Sequence, residues 1–143
     1  MADILYRFLK LDLTQFATFE EGYIDDEKDI EVSTSFRFAY SAVNEVICCS
    51  LSVKITKETG IVVKADLDSF FKLDSRSIVG LKEGTDIVFP PELLAQFASL
   101  VYGSMRGVLY AKTMGTPLSK IILPPNDVRS IFQAPLKFKI ENP

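Results

Sequence analysis

From Ile30 to Tyr40 the chain alternates strictly: Ile30, Val32, Thr34, Phe36, Phe38 and Tyr40 share one parity, and Glu31, Ser33, Ser35, Arg37 and Ala39 the other. Side-chain direction in a strand has a period of two, so all six of the first set point to one face. Aromatic residues in succession there either lie beneath a helix or grip something from outside. The same period recurs at Ile47, Cys49, Leu51, Val53 and Ile55, and again at Ile61, Val63, Ala65, Leu67, Ser69, Phe71 and Leu73. Between those runs Lys57-Glu58-Thr59-Gly60 predicts a short hairpin turn, with Gly60 able to take a positive φ. An earlier segment, about Arg7 to Glu20, has Leu9, Leu11, Leu13 and Phe19 on one parity and Phe8 and Phe16 on the other. It predicts a strand with apolar side chains on both faces, bent or bulged near Thr14 to Phe16. Glu20 to Asp29 and Ser41 to Glu45 read as connections.

The period then changes. Asp74 to Asp86 is polar, with Gly80 and Gly84, and reads as a further connection. Pro90 and Pro91 suit the first turn of a helix, where a missing N–H costs nothing, and Glu92 suits the positive end of its dipole. Leu93, Leu94, Phe97, Leu100, Val101, Met105, Val108 and Leu109 follow at helical spacing, which predicts a long helix to about Thr113 with Gly115 as its stop. Ala98, Tyr102, Tyr110 and Ala111 widen its apolar arc beyond one packing stripe. Gly103 and Gly107, beside Ser104, leave a smooth strip that another helix could approach. Pro117 and the pair Pro124-Pro125 frame an extended connector, Leu118 to Leu123. Asn126 or Asp127 can cap a short helix over Val128 to Gln133. Pro135 to Ile140 alternates again, as an edge strand or a loose end. Four strands, a long helix, a linker and a short helix make an α+β domain with both helices on one face of an antiparallel sheet.

At 143 residues the chain is long enough for one domain with a real core and no need of disulfides or metals. A formal net charge of −3 argues against a nucleic-acid binder, which needs a basic surface. No apolar run is long enough to insert in a membrane, and Met1-Ala2-Asp3-Ile4 lacks the pattern of a signal peptide, so a cytoplasmic protein is expected. Cys48 and Cys49 are adjacent and point to opposite faces of a strand; they predict plain packing, one thiol buried and the other near the opposite face.

Catalytic equipment is sparse. With no His in the sequence, Ser-His-Asp and Cys-His catalysis is excluded, along with most zinc chemistry. The glycines match no phosphate-binding loop. Asp25-Asp26-Glu27-Lys28-Asp29 lacks the ligand spacing of a cation loop and reads as a solvated acidic connection. Asp66 and Asp68 share a strand face but look like ordinary solvent-facing residues. The expectation is a protein that is not an enzyme and takes no cofactor or metal.

Several strings, in order, resemble the SecB family of protein-export chaperones. VICCSLSVKITKETGIVVKADLDSFFKL, from Val46 to Leu73, is similar to that family's central hairpin, whose second strand ends in an apolar–Phe pair, here Phe70-Phe71. LTQFATFEE, from Leu13 to Glu21, resembles the end of its first strand. Gly115-Thr116-Pro117-Leu118 followed by Leu123-Pro124-Pro125-Asn126 resembles the segment between its long and short helices. The resemblance implies a four-stranded antiparallel Greek-key sheet with one long and one short helix packed on one face. It implies a homo-oligomer, a dimer of dimers, built through sheet edges and across long helices at Leu100, Val101, Met105, Val108 and Leu109. It further implies ATP-independent holding of unfolded or precursor polypeptides in a hydrophobic groove. Carried onto this chain, that groove is Phe19, Tyr23 and Ile24, then Phe36, Phe38 and Tyr40, then Ile131 and Phe132.

Three departures set the chain apart from the best-known members: its charge is only −3, Lys64 stands where an acidic residue is frequent, and no Cys or His follows the final alternating segment. They leave engagement of the SecA motor open and bring in a SecB-like chaperone dedicated to a toxin–antitoxin or other specific client. A small-ligand-binding α+β domain, with the aromatics around a closed pocket, is the reading from another class. A purely structural protein whose apolar surface is spent on oligomerisation is a third. The strands already supply full apolar faces that one helix cannot cover, so apolar surface should remain for self-association or for clients.

Overall fold

The computed structural model describes residues 4–19, 30–58 and 60–139. Strands β1 (Tyr6–Thr18), β2 (Glu31–Ser41), β3 (Val46–Lys57) and β4 (Gly60–Leu73) form one antiparallel sheet in the order β1-β4-β3-β2. Three hairpin-linked strands with the first strand returned beside the last make this a Greek key. It places β1 and β2, consecutive in sequence, on opposite edges.

The two central strands carry the core. Ile47, Cys49, Leu51, Val53 and Ile55 on β3, and Val63, Ala65, Leu67, Phe71 and Leu73 on β4, are all buried on one face. Ser69 sits in the same row, and its hydroxyl donates to the Cys49 carbonyl at 2.8 Å, which removes the cost of an unpaired buried polar group. The opposite face is solvent-facing and polar along Ser50, Ser52, Lys54, Asp66 and Asp68. Cys49 is buried and Cys48 half-buried on that other face, as adjacent strand residues must be.

Further on, α1 (Ser75–Leu81), the short strands β5 (Lys82–Glu83) and β6 (Asp86–Phe89), and the long helix α2 (Pro91–Thr113) follow. β7 (Leu136–Lys139) pairs with β6, giving a second antiparallel sheet in the order β5-β6-β7. Pro91 opens α2, Glu92 lies in its first turn and Lys112 in its last, each suited to the local end of the helix dipole. Leu93, Leu94, Phe97, Val101, Met105 and Leu109 recur every three or four residues and are buried against the sheet.

In four places the expectations need correction. Residues 74–86 are not a plain polar connection: the Asp74 carboxylate accepts from the Arg76 N–H at 3.2 Å and caps α1, which buries Ile78 and Leu81, three residues apart. Ile87 and Phe89 then alternate inward on β6. Val128 to Gln133 forms no α-helix, only a 3-10 turn over Val128–Ser130. The residue before a proline avoids the helical region, so Pro135 stops any helix before Ala134. The connector after Pro117 likewise begins as a 3-10 turn, Pro117–Lys120, capped by Thr116. Among the described residues the short α-helix is therefore α1, which packs against β6, not the segment near the C-terminus.

β1 needs a fourth correction. Its pairing with β4 shifts register between Phe8 and Lys10 and again between Leu13 and Gln15. Each bulge adds a residue and flips the parity, so Tyr6, Phe8, Leu11, Leu13 and Phe16 all join the core-side face despite their mixed parity in sequence. The second bulge falls where Thr14 to Phe16 predicted one.

The core makes a quantitative demand. Phe71 is fully buried and its ring meets Phe97 at 4.6 Å, Phe8 at 4.8 Å and Tyr6 at 5.7 Å. Phe71→Ala should lower the unfolding free energy by about 3–5 kcal/mol in urea denaturation, with little change in the slope of the transition.

Candidate functional site

The aromatic strand is an edge strand. Phe36, Phe38 and Tyr40 lie opposite Leu51, Cys49 and Ile47 of β3, so they share the core-side face of the sheet. Unlike their β3 partners they remain half-exposed, because α2 lies over β3 and β4. What reaches them instead is the C-terminal segment. The Phe132 ring stands edge-on to Phe36 at 5.8 Å and to Phe38 at 5.7 Å. Tyr40 meets Phe89 at 5.5 Å and Phe138 at 6.0 Å. Burial pushes the Tyr40 phenol up, and the nearby Glu45 carboxylate adds to the effect, so it stays neutral at physiological pH.

The C-terminal segment is held in place by small residues and by donors on α2. Ala95 and Ala98 leave room for buried Val128 to pack between the helix and Phe36. The Tyr102 hydroxyl donates to the Pro124 carbonyl at 2.6 Å and the Arg106 Nε–H to the Leu123 carbonyl at 2.8 Å. The Asp127 carboxylate accepts from the Arg129 backbone N–H and clamps its guanidinium through two bonds of 2.9 and 3.1 Å. These contacts hold the Asp127 carboxyl below its ordinary range.

Beside this segment a cleft of about 570 Å³ opens over the N-terminal half of α2. Ala95, Gln96, Ser99 and Leu100 make its floor, Tyr6 and Phe132 its walls, and Glu92 and Arg129 its charged rim. The Tyr6 hydroxyl donates to Gln96 Oε1 at 2.9 Å, which fixes one wall. A lining of aromatic and aliphatic side chains with a few polar groups suits burial of apolar side chains.

The structure thus brings together Phe36, Phe38 and Phe132, with Tyr40 continuing the same row and exposed Ile131 beside Phe132. Phe19 is not among them. It follows β1, donates its N–H to the Val62 carbonyl at 2.9 Å, and is half-exposed at the opposite edge of the sheet. Tyr23 and Ile24 lie outside the described residues. The five helix residues expected at an oligomer contact also divide. Val101 and Met105 are 0% exposed and Leu109 is 5% exposed, all inside the protomer's own core, so they have no surface to offer a sister subunit. Val108 is half-buried, and Leu100, at 41%, is the exposed one of the five. The face of α2 that is open runs along Gln96, Ser99, Leu100, Gly103, Gly107, Tyr110 and Ala111, uncharged over that length, with exposed Glu92 one turn before it. The helical period assigns both faces correctly once Phe97 and Val101 are taken as the inward pair.

Sequence reasoning did not include Tyr6, Phe89, Phe138, Glu92 or Arg129 in the site. A signal existed for two of them: Ile87 and Phe89 alternate just before Pro90, and Leu136 and Phe138 alternate near the C-terminus, the pattern of two short paired strands.

No protein-family model matches the sequence, and no curated protein does. Solved structures do match. The SecB-like chaperone Rv1957 of Mycobacterium tuberculosis, in complex with a ChAD peptide from the Rv1956 HigA1 antitoxin, superposes with a TM-score of 0.57 at 12% identity, covering 83% of this chain and 86% of that one. The protein has a SecB-like fold. A protein of unknown function from Streptococcus agalactiae also matches, with a TM-score of 0.44 at 9% identity, over 87% of this chain and 99% of that one. Within the SecB-like fold the aromatic row is a wall at the β2 edge, half-closed by the chain's own Phe132. Among the described residues no helix is long and apolar enough to cross a membrane.

Phe132→Ala removes a ring that covers two others. The lost edge-on contacts are worth about 0.5–1.5 kcal/mol beyond the area effect. The variant should therefore be less destabilised than Phe71→Ala in the same denaturation series, and the folded protein should bind more of a hydrophobic dye than the wild type.

Proposed function

We propose that this protein is an ATP-independent molecular chaperone that holds non-native polypeptides on the aromatic face of β2 and in the adjoining cleft. The observation that carries this reading is the contiguous, half-covered row of Phe36, Phe38, Tyr40 and Phe132 at a sheet edge. A soluble domain rarely leaves large aromatics contiguous at the surface without a partner for them. The sequence's lack of histidine and of phosphate-binding loops supports contact, not chemistry, as their use.

The held client is either delivered for export or kept by a chaperone dedicated to it. The second fate is favoured by one finding, that the SecB-like chaperone Rv1957 was solved with a peptide from an antitoxin. Both fates use the same groove. Self-association completes the proposal. Gly103 and Gly107 each have open space where a Cβ would stand, and the helix interior tolerates each glycine at a cost of about 1 kcal/mol relative to alanine. No contact within the protomer requires that cost. A sister helix crossing at these two residues, with Tyr110 beside them, accounts for it and leaves the first turns of α2 free for the cleft.

Two experiments address these points. Wild-type protein, without ATP, should suppress light scattering from a chemically unfolded client on dilution, and Phe36→Ala/Phe38→Ala should bind that client about tenfold more weakly or worse. Failure of the wild type to protect overturns the holding function, and equal protection by the double variant overturns the groove. For assembly, Gly103→Leu/Gly107→Leu should reduce the mass measured by light scattering after size exclusion. An unchanged mass removes the helix crossing.

A further inference from the structure

The two edges of the main sheet are built differently. β1 is broken by two register shifts and carries Arg7, Lys10 and Asp12 along its length. Bulges and charges of this kind are how proteins keep an exposed strand from pairing with another chain. β2 has no bulge, and its charges are Glu31 at one end and Arg37. Its eleven residues run opposite β3 in one unbroken register, with no proline and no glycine. On its solvent side stand the small residues Ser33, Ser35 and Ala39, and in their midst only Arg37 is charged. Among the described residues β2 pairs with β3 alone, which leaves its outer N–H and C=O groups, repeating about every 7 Å, as an open ladder.

We propose that this ladder is a strand-addition site: an extended segment of the client pairs with β2 as a fifth strand. The inference rests on the holding function above and supplies its mode of recognition. Main-chain pairing gives affinity that does not depend on sequence, and the alternate side chains add selectivity. One parity of the added strand falls on the half-exposed row of Phe36 and Phe38, next to Phe132 and Ile131, and favours apolar residues. The other parity falls beside Arg37, which has no carboxylate partner among the described residues, and favours an acidic residue. The occupant is therefore an extended polypeptide that alternates apolar and polar residues with a carboxylate near its middle.

Charge disfavours a second copy of this chain paired over the full length of the strand. Antiparallel pairing of β2 with its own copy, centred near Phe36, sets the two Arg37 side chains on one face within two positions of each other, a like-charge arrangement that destabilises paired strands.

The test uses a synthetic peptide of about nine residues, the usual reach of a strand, alternating leucine or phenylalanine with serine and bearing one central aspartate. Two further versions carry N-methyl groups on one or the other alternate set of amides, with side chains unchanged. Binding to the full-length protein is read by fluorescence anisotropy, and amide hydrogen exchange is followed along β1 and β2. The parent peptide should slow exchange at alternate residues of β2 and leave β1 unchanged. One N-methylated version should lose at least about tenfold in affinity, since it forfeits several hydrogen bonds, while the other keeps it. Arg37→Glu should weaken the aspartate peptide and favour a lysine-bearing one. If both N-methylated peptides bind as tightly as the parent, strand addition is wrong while holding through side chains survives. If the outward amides of β2 are already protected in the free protein, the edge is covered by the protein itself and the proposal is wrong. If no peptide binds and no client is held in the scattering assay, the holding function fails and strand addition falls with it.

Discussion

A single helix is too narrow for this sheet. An α-helix with its side chains is about 10 Å across, and strands lie about 4.8 Å apart, so α2 can seal two of the four strands. It seals the inner two, β3 and β4, whose core-side residues are buried throughout. The apolar rows of β1 and β2 extend past the helix on either side. Nearly every unusual feature of the molecule answers to that mismatch.

On the β1 side, bulges gather Tyr6, Phe8, Leu11, Leu13 and Phe16 onto the core-side face, and Tyr6 reaches Phe97 and Gln96 on the helix. Phe8 and Leu11 stay about 40% exposed all the same. On the β2 side the cover is made from short pieces: a 3-10 turn that delivers Phe132, and a small second sheet that delivers Phe89 and Phe138. These pieces are narrow and lean on α2 through a few polar contacts. A cover of that kind leaves aromatic surface available next to an open strand edge, and such a surface is well matched to an extended, non-native chain. The proposed holding function rests on these proportions of sheet and helix.

Much of this was legible in the sequence, and the gaps have identifiable causes. The β3–β4 hairpin and α2 were plain because Ile47 to Leu73 and Leu93 to Leu109 keep one period for their whole length. β1 was harder, since two bulges scramble a period-two pattern in sequence while preserving it in space. α1 was missed because Gly80 and the polar stretch Ser75-Arg76-Ser77 hide its two buried apolar residues, Ile78 and Leu81. The core side of α2 was misassigned at Val101, Met105 and Leu109, where a wide apolar arc gives no sign of which part meets the sheet. The β2 row was visible as a row, but its half-exposure depends on sheet order, and no local pattern encodes which strand lies at the edge.

The sequence contains no tryptophan, so Phe38→Trp would place a single reporter in the middle of the aromatic row. Its emission during titration with a tryptophan-free unfolded polypeptide tests the central claim most directly. A half-exposed indole that becomes covered should shift to shorter wavelength and saturate as the client is held. An emission spectrum that does not move while the protein still keeps the client from aggregating would contradict the account.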